Sequence, residues 1–230
     1  FDDCWNPTYH AGKQPDSKPG IHNSGWVRDP GDKIHEDTTL FTTLEKYTKS
    51  VLTQFANDKR IVLWDLYNEP GNSDYGNKSM PLLQKVFRWG REVNPSQPLS
   101  AGVWNKDLVD LNNYQLANSD VTTYHNYMEP EVHKQWIDSL RTYGRPLICT
   151  EYMARTRNSR FDNIMPMLKE ENIGAYNWGL VAGKTNTIYA WDAPMPDGKE
   201  PKLWFHDIFR KDGTAYKKSE VELNKKLTGR

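Results

Sequence analysis

The sequence predicts an α/β protein whose parallel sheet closes into a (β/α)8 barrel, and three observations lead there. Strand-like and helix-like stretches alternate at intervals of about 20–40 residues. The glycine-rich phosphate turn that an open, nucleotide-binding sheet would carry is missing from the sequence. Two apolar strands each leave the core at a glutamate, Glu69 and Glu151, and a closed parallel barrel opens its C-terminal strand ends on one face. An open doubly wound sheet shares the alternation, so the second and third observations favour the barrel.

Taken in order, residues 6–37 are rich in Pro, Gly, Asn and Asp and show no periodicity. A stretch that long between elements is a functional loop or a linker, and the embedded Trp26 favours an ordered binding loop. Helical periodicity begins over 40–57, where Leu40, Leu44, Tyr47, Val51 and Phe55 recur at three- and four-residue steps. Residues 61–67 read as a buried strand through Val62, Leu63, Trp64, Leu66 and Tyr67, and Asn68, Glu69, Pro70, Gly71 and Asn72 end it. A helix over 79–93 places Leu82, Leu83, Val86, Phe87 and Val93 on one side. Strands at 98–104, 120–125, 145–152 and 173–180 then alternate with helices at 107–117, 131–143 and 159–172. Pro98 and Pro146 open strands, and Gly144 and Gly174 stand where helices should end. Residues 182–201 form a second turn-rich loop around Tyr189 and Trp191.

Composition narrows the function. Lys+Arg and Asp+Glu both number 30, a zero formal charge that argues against nucleic acid or an anionic membrane surface as partner. No apolar run is long enough to span a bilayer, and the first residues lack a signal-peptide pattern. Two cysteines, Cys4 and Cys149, are too few for a disulfide framework or a four-thiolate zinc site; they read as isolated buried thiols, with a single bridge as the alternative. Nine Trp, twelve Tyr and seven Phe exceed what a core of this size requires. Many lie beside Gly, Pro and Asn, where flat amphipathic rings suit the apolar faces of sugars. A metal-dependent hydrolase would need ligands at several strand ends. His125, Asp2 and Asp3 are too few for that, and His10, His22 and His35 lie in an irregular loop without ligand spacing. No metal and no cofactor is expected.

A pair of glutamates in aromatic surroundings is what glycoside hydrolysis needs: one protonated to release the leaving oxygen, one ionised to attack the anomeric carbon. Four motifs carry a resemblance that goes further. "LYNEPGN" around Glu69, "YHNY" over 124–127, "CTEY" ending after Glu151 and "AYNWGL" around Trp178 resemble, in order and spacing, the fourth, sixth, seventh and eighth strand ends of the retaining (β/α)8 glycoside hydrolases of the cellulase, mannanase and xylanase type. The whole chain is similar to bacterial cellulase-family glycosyl hydrolases. The resemblance implies a TIM barrel and a double-displacement glycosidase acting on a β-linked polysaccharide or oligosaccharide such as xylan, mannan or β-glucan. It implies Glu69 as acid/base, Glu151 as nucleophile and Asn68 as a contact to the sugar 2-hydroxyl. Tyr127 would orient Glu151, His125 would support the acid/base side, and Trp178 would lie under the sugar with Trp5, Trp104 and Trp26 or Trp191 nearby. The two carboxyl groups would stand about 5–5.5 Å apart.

On this alignment residues 1–5 end the third strand, so the chain would hold strands three to eight of one barrel domain. The first two βα units would lie before Phe1 or come from another chain. Where relatives carry a third-strand His, this sequence has Asp2, Asp3 and Trp5, and no segment supplies their second-strand Arg. Relatives are mostly exported, which implies a secreted or periplasmic protein. The alternative from a different class is a sugar-binding barrel, or an inactive piece of such an enzyme, that keeps its aromatics without turnover. The presence of both glutamates with Asn68 and Tyr127 argues against it.

Overall fold

The computed structural model describes residues 1–6, 12–14 and 16–229. His10 lies outside them. The chain forms two compact units, the first comprising Phe1–Tyr9 and Val27–Tyr124, the second His10–Trp26 and His125–Arg230.

In the first unit, β1 (Trp64–Asp65) pairs in parallel with β2 (Leu99–Ser100) in the register Trp64 to Leu99. Hydrogen bonding runs beyond these short strands. The Leu66 N–H reaches the Ser100 carbonyl at 2.8 Å, the Asn68 N–H the Phe1 carbonyl at 2.7 Å and the Val103 N–H the Thr123 carbonyl at 3.1 Å. The last of these ties the end of β2 to β3 (Thr122–His125), within which the chain leaves the first unit. Helices α1 (Phe41–Gln54), α2 (Met80–Val93) and α3 (Val109–Asn118) fall where periodicity predicts them. Their buried faces meet the strands in one cluster that includes Leu52, Leu66, Tyr67, Leu83, Val86, Phe87, Trp89, Leu99 and Leu111. Interleaved apolar side chains from helix and sheet are what exclude water here.

The second unit pairs β4 (Leu147–Tyr152) with β5 (Gly174–Asn177) in parallel, with a register irregularity between Cys149 and Tyr152. Helices α4 (Pro130–Arg141) and α5 (Phe161–Glu170) bury Ile137, Leu140, Phe161, Ile164 and Leu168. A further helix, α6 (Lys218–Thr228), has only Val221, Leu223 and Leu227 as apolar residues, too sparse a stripe to announce it, and its buried residue is Glu220. Arg155 explains that burial. Its guanidinium donates to both Glu220 oxygens at 3.0 and 2.6 Å and to the Trp204 and Asp207 carbonyls at 3.0 Å each.

Two sequence expectations change. Six strands, three to eight, were expected, whereas the described residues form five. Residues 1–5 contribute single bridges instead, Asp2 with Asn68 in parallel and with Asp29 antiparallel. Trp5 turns into the left-handed region at φ 69, and beyond it Asn6 bridges Val27 in parallel. Gly174 is the first residue of β5 and not a helix terminus. Asn172, at φ 55, takes the left-handed position after α5, a conformation that asparagine tolerates better than most residues. Both cysteines are buried free thiols, the reading the sequence favoured over a bridge.

Replacing Glu220 by Ala would leave the Arg155 charge buried beside two carbonyls. Chemical denaturation should show a loss of about 3–5 kcal/mol. Breaking the exposed Lys134–Asp138 pair on α4 should change stability little.

Candidate active site

The first unit presents Glu69 at the turn that follows β1. The residue sits in the left-handed region at φ 44, which bends the chain sharply out of the sheet, and its carbonyl accepts the Asn72 N–H at 3.0 Å. Gly71 continues the turn at φ 85, and a Cβ there would come within 2.6 Å of the Leu111 side chain, so only glycine fits. The Glu69 Oε2 atom accepts from Asn72 Nδ2 at 2.6 Å and from the Cys4 thiol at 3.1 Å. Burial first, then the charges of Glu69 and Asp2, push the Cys4 thiol far up, so it stays protonated and donates. Asn68 turns its amide to Asp2 Oδ1 at 3.1 Å and to Cys4 Sγ at 3.6 Å.

Beneath this turn lies Asp3, 1% exposed. Its Oδ1 meets the Tyr67 hydroxyl at 2.8 Å and His35 Nε2 at 3.2 Å, and its Oδ2 the Gly71 N–H at 2.9 Å and the Ser79 hydroxyl at 2.5 Å. Burial and the Asp3 charge raise the Tyr67 phenol well above its ordinary pKa, so it too remains a donor. Trp104, leaving β2, donates its indole N–H to the Pro70 carbonyl at 3.1 Å and keeps part of its ring exposed. The Trp5 carbonyl accepts from Arg28 at 2.5 Å, and the same guanidinium reaches the Tyr75 hydroxyl at 2.6 Å.

The second unit presents Glu151 near the end of β4. Its Oε2 accepts from the Tyr127 hydroxyl at 2.6 Å, and His125 Nδ1 stands 3.5 Å from the same oxygen. The sheet enforces this approach, because the Asn126 N–H bonds the Glu151 carbonyl at 3.0 Å. Tyr127 packs edge-on against Trp191 with ring centroids 5.0 Å apart, and Trp178 meets Trp26 edge-on at 5.6 Å. Trp26 is 39% exposed.

The loops that hold these rings clasp one another. The Asn23 N–H bonds the Thr185 carbonyl at 2.8 Å, and Asn186 Nδ2 bonds the Lys18 and Ile21 carbonyls at 2.8 and 3.1 Å. The Met195 N–H bonds the Gly20 carbonyl at 2.9 Å. A Cβ on Gly20 would fall 1.6 Å from the Met195 oxygen, so the closeness of the clasp depends on that glycine. Below it His22 and His206 are buried with rings 5.3 Å apart. Burial pulls His22 down to about 4 against the Tyr189 carbonyl bond that would raise it; burial, and then the His22 charge, pull His206 well below its ordinary value.

Of the residues expected from sequence, Glu69, Asn68, Trp5 and Trp104 thus gather in the first unit, and Glu151, His125, Tyr127 and Trp178 in the second. His125 lies against Glu151. Three residues of the site were not singled out: Asn72, Asp3 as an anchor, and Cys4 as a donor. For Asn72 the signal was its place three residues after Glu69. For Asp3 and Cys4 no sequence pattern announces a partner more than sixty residues away.

A family model described as glycosyl hydrolases family 2, TIM barrel domain, matches residues 28–183. No curated protein matches the sequence. Among solved structures, the chain is similar to a β-glucuronidase of Bacteroides uniformis, at 13% identity and a TM-score of 0.54, over 76% of this chain and 24% of that one. It is similar to the endo-β-1,4-mannanase of Thermotoga petrophila at 17% identity and 0.55, over 86% and 51%. A GH10 endoxylanase retrieved from a sugarcane soil metagenome follows at 15% identity and 0.55, over 88% and 72%. At such identities these likenesses concern the fold alone. The chain spans about a quarter of the glucuronidase and about half of the mannanase.

The buried histidines set a pH dependence. Unfolded His22 takes up a proton near its ordinary 6.5, whereas the folded residue does so only near 4. Its stabilising effect is therefore complete above pH 6.5 and is lost as pH falls toward 4, about 3 kcal/mol by the lower limit. Thermal melts of the protein and of His22→Gln between pH 7 and 4.5 should converge as the pH falls.

Proposed function

Because the chain belongs to the glycosyl hydrolase family 2 TIM-barrel domain family, we propose that it is a retaining glycoside hydrolase acting on a β-linked polysaccharide or oligosaccharide. Xylan, mannan and β-glucan are the substrate types that fit its aromatic loops, and polymers of this kind suit a secreted or periplasmic protein. The observation that carries the reading is the grip on Glu151. A tyrosine hydroxyl at 2.6 Å donates to one carboxylate oxygen and favours its ionised form, which is the state a nucleophile needs.

In the first step the Glu69 carboxylic acid gives its proton to the glycosidic oxygen as that oxygen leaves, and Glu151 bonds to the anomeric carbon from the opposite face. The product is a glycosyl ester on Glu151. In the second step the Glu69 carboxylate takes a proton from water as the water oxygen attacks the anomeric carbon, and the ester bond to Glu151 breaks. Asn68, its amide oriented by Asp2, is the contact to the sugar 2-hydroxyl. Trp178 and Trp104 offer ring faces to the sugars, and Trp5 flanks the Glu69 turn. His125 steadies Glu151 together with Tyr127.

Azide distinguishes the two roles. With an activated aryl β-glycoside, Glu151→Ala should be inactive until azide is added and should then yield the α-glycosyl azide, because azide enters from the vacated nucleophile side. Glu69→Ala should yield the β-glycosyl azide. Nuclear magnetic resonance of the products reads the anomeric configuration, and exchanged outcomes would reverse the assignment. Trp178→Ala should weaken binding of xylo-, manno- or cello-oligosaccharides by about 1–3 kcal/mol in calorimetry. Unchanged binding by a folded variant would remove Trp178 from the sugar site.

A further inference from the structure

Glu69 is held in an unusual way. Two short hydrogen bonds fall on one of its oxygens, Oε2, from the Asn72 amide at 2.6 Å and from a thiol, Cys4 Sγ, at 3.1 Å. A buried cysteine ordinarily behaves as a small apolar side chain. This one does not, because its sulfur is within hydrogen-bond reach of a carboxylate oxygen and lies among polar groups. The Cys4 backbone N–H bonds Asp2 Oδ1 at 2.8 Å, fixing the residue, and the Asn68 amide approaches its sulfur at 3.6 Å. The thiol thus accepts from Asn68 and donates to Glu69, which joins the proposed 2-hydroxyl contact to the proposed acid/base.

We propose that Cys4 is a positioning residue for Glu69, its thiol holding Oε2 together with Asn72 so that the transferable proton resides on Oε1. Two donors on Oε2 occupy the directions in which that oxygen would carry a proton of its own. The same two bonds restrain the side chain in one orientation, and the left-handed backbone at Glu69 fixes where that side chain begins. Cys4 stays protonated through both steps, neither gaining nor losing a proton, because burial and the neighbouring carboxylates keep its thiol far above its ordinary pKa. The inference rests on the reading of Glu69 as the acid/base, and its test has one arm that does not need turnover.

The protein has two thiols, so the S–H stretching band of Cys4 is identified in the infrared by its loss in Cys4→Ala. At a pH high enough to ionise Glu69, Glu69→Gln replaces a charged acceptor by a neutral one, and the Cys4 band should move to higher frequency. A band that keeps its position in Glu69→Gln would overturn the proposal. The second arm compares phenyl and 2,4-dinitrophenyl β-glycosides of xylose, mannose and glucose. Protonation of the leaving oxygen matters for phenol and hardly for dinitrophenol, so in Cys4→Ala the ratio of the phenyl to the dinitrophenyl rate should fall about tenfold, the size expected for one hydrogen bond. Cys4→Ser keeps a donor and should lose less. Equal losses on both substrates would reduce Cys4 to a packing residue and overturn the positioning role. Should the unmodified protein hydrolyse none of these glycosides, the proposed function fails, and the infrared shift alone decides whether Cys4 holds Glu69.

Discussion

The Asp3 carboxylate is buried at 1% exposure, and four donors from four places in the chain converge on its two oxygens. Taking a carboxylate out of water costs several kcal/mol unless hydrogen bonds replace the hydration. Here Tyr67 comes from the segment after β1, Gly71 from the turn carrying Glu69, Ser79 from the residue before α2, and His35 from the loop ahead of α1. Each donor satisfies the acid only if its own segment is in place. The acid therefore demands one mutual arrangement of four segments, and the turn that bears Glu69 is one of them. Ser73 adds a fifth tie, donating to the Asp3 backbone carbonyl at 2.9 Å.

That constraint makes the geometry above it possible. Glu69 and Trp5 both lie in the left-handed region, at φ 44 and 69, where an L-residue with a side chain is strained by about 1–2 kcal/mol. A turn held only by itself would relax. Anchored by Asp3 below, by the Trp104 indole on the Pro70 carbonyl and by Asn72, the Glu69 carboxyl group keeps one direction before any ligand arrives. Preorganisation of this kind is what the proposed acid/base role requires, because a donor that must reorient loses much of its advantage.

The second unit follows the same logic with the opposite charge. Arg155 is buried, and its partners again come from distant parts of the chain: Glu220 on α6, and the carbonyls of Trp204 and Asp207. A weakly amphipathic terminal helix is fixed by an ion pair where its apolar stripe would not suffice. The Tyr127 hydroxyl on Glu151 is positioned in turn by Trp191 packed edge-on beside it, so an aromatic from a long loop supports a residue of the sheet.

How much of this is legible in the sequence depends on the range of the interaction. The alternation of strands and helices is local, written in residue spacing, and α1 to α5 appear where Leu44, Phe87, Leu111, Ile137 and Ile164 mark their buried faces. Glu69 and Glu151 stand out for the same reason, each a charged residue ending an apolar run. Strand lengths were overestimated, since apolar residues extend on both sides of the short strand Trp64–Asp65 and past the end of Leu99–Ser100. Helix α6 was missed because a buried ion pair, and not a hydrophobic stripe, holds it.

The sequence by itself therefore determined the parallel α/β architecture, the order of the elements and the two carboxylates at strand ends, because hydrophobic periodicity and turn chemistry are properties of neighbouring residues. Tertiary structure alone decided that Asp3 is an anchor, that His125 sits against Glu151, and that the Cys4 thiol and Asn72 share one oxygen of Glu69. Those are hydrogen bonds with directional demands of a few tenths of an ångström, several of them between residues far apart in the chain. Their partners are fixed only when the strands pair in register and the turns close, and no pattern of residue types along the chain carries that information.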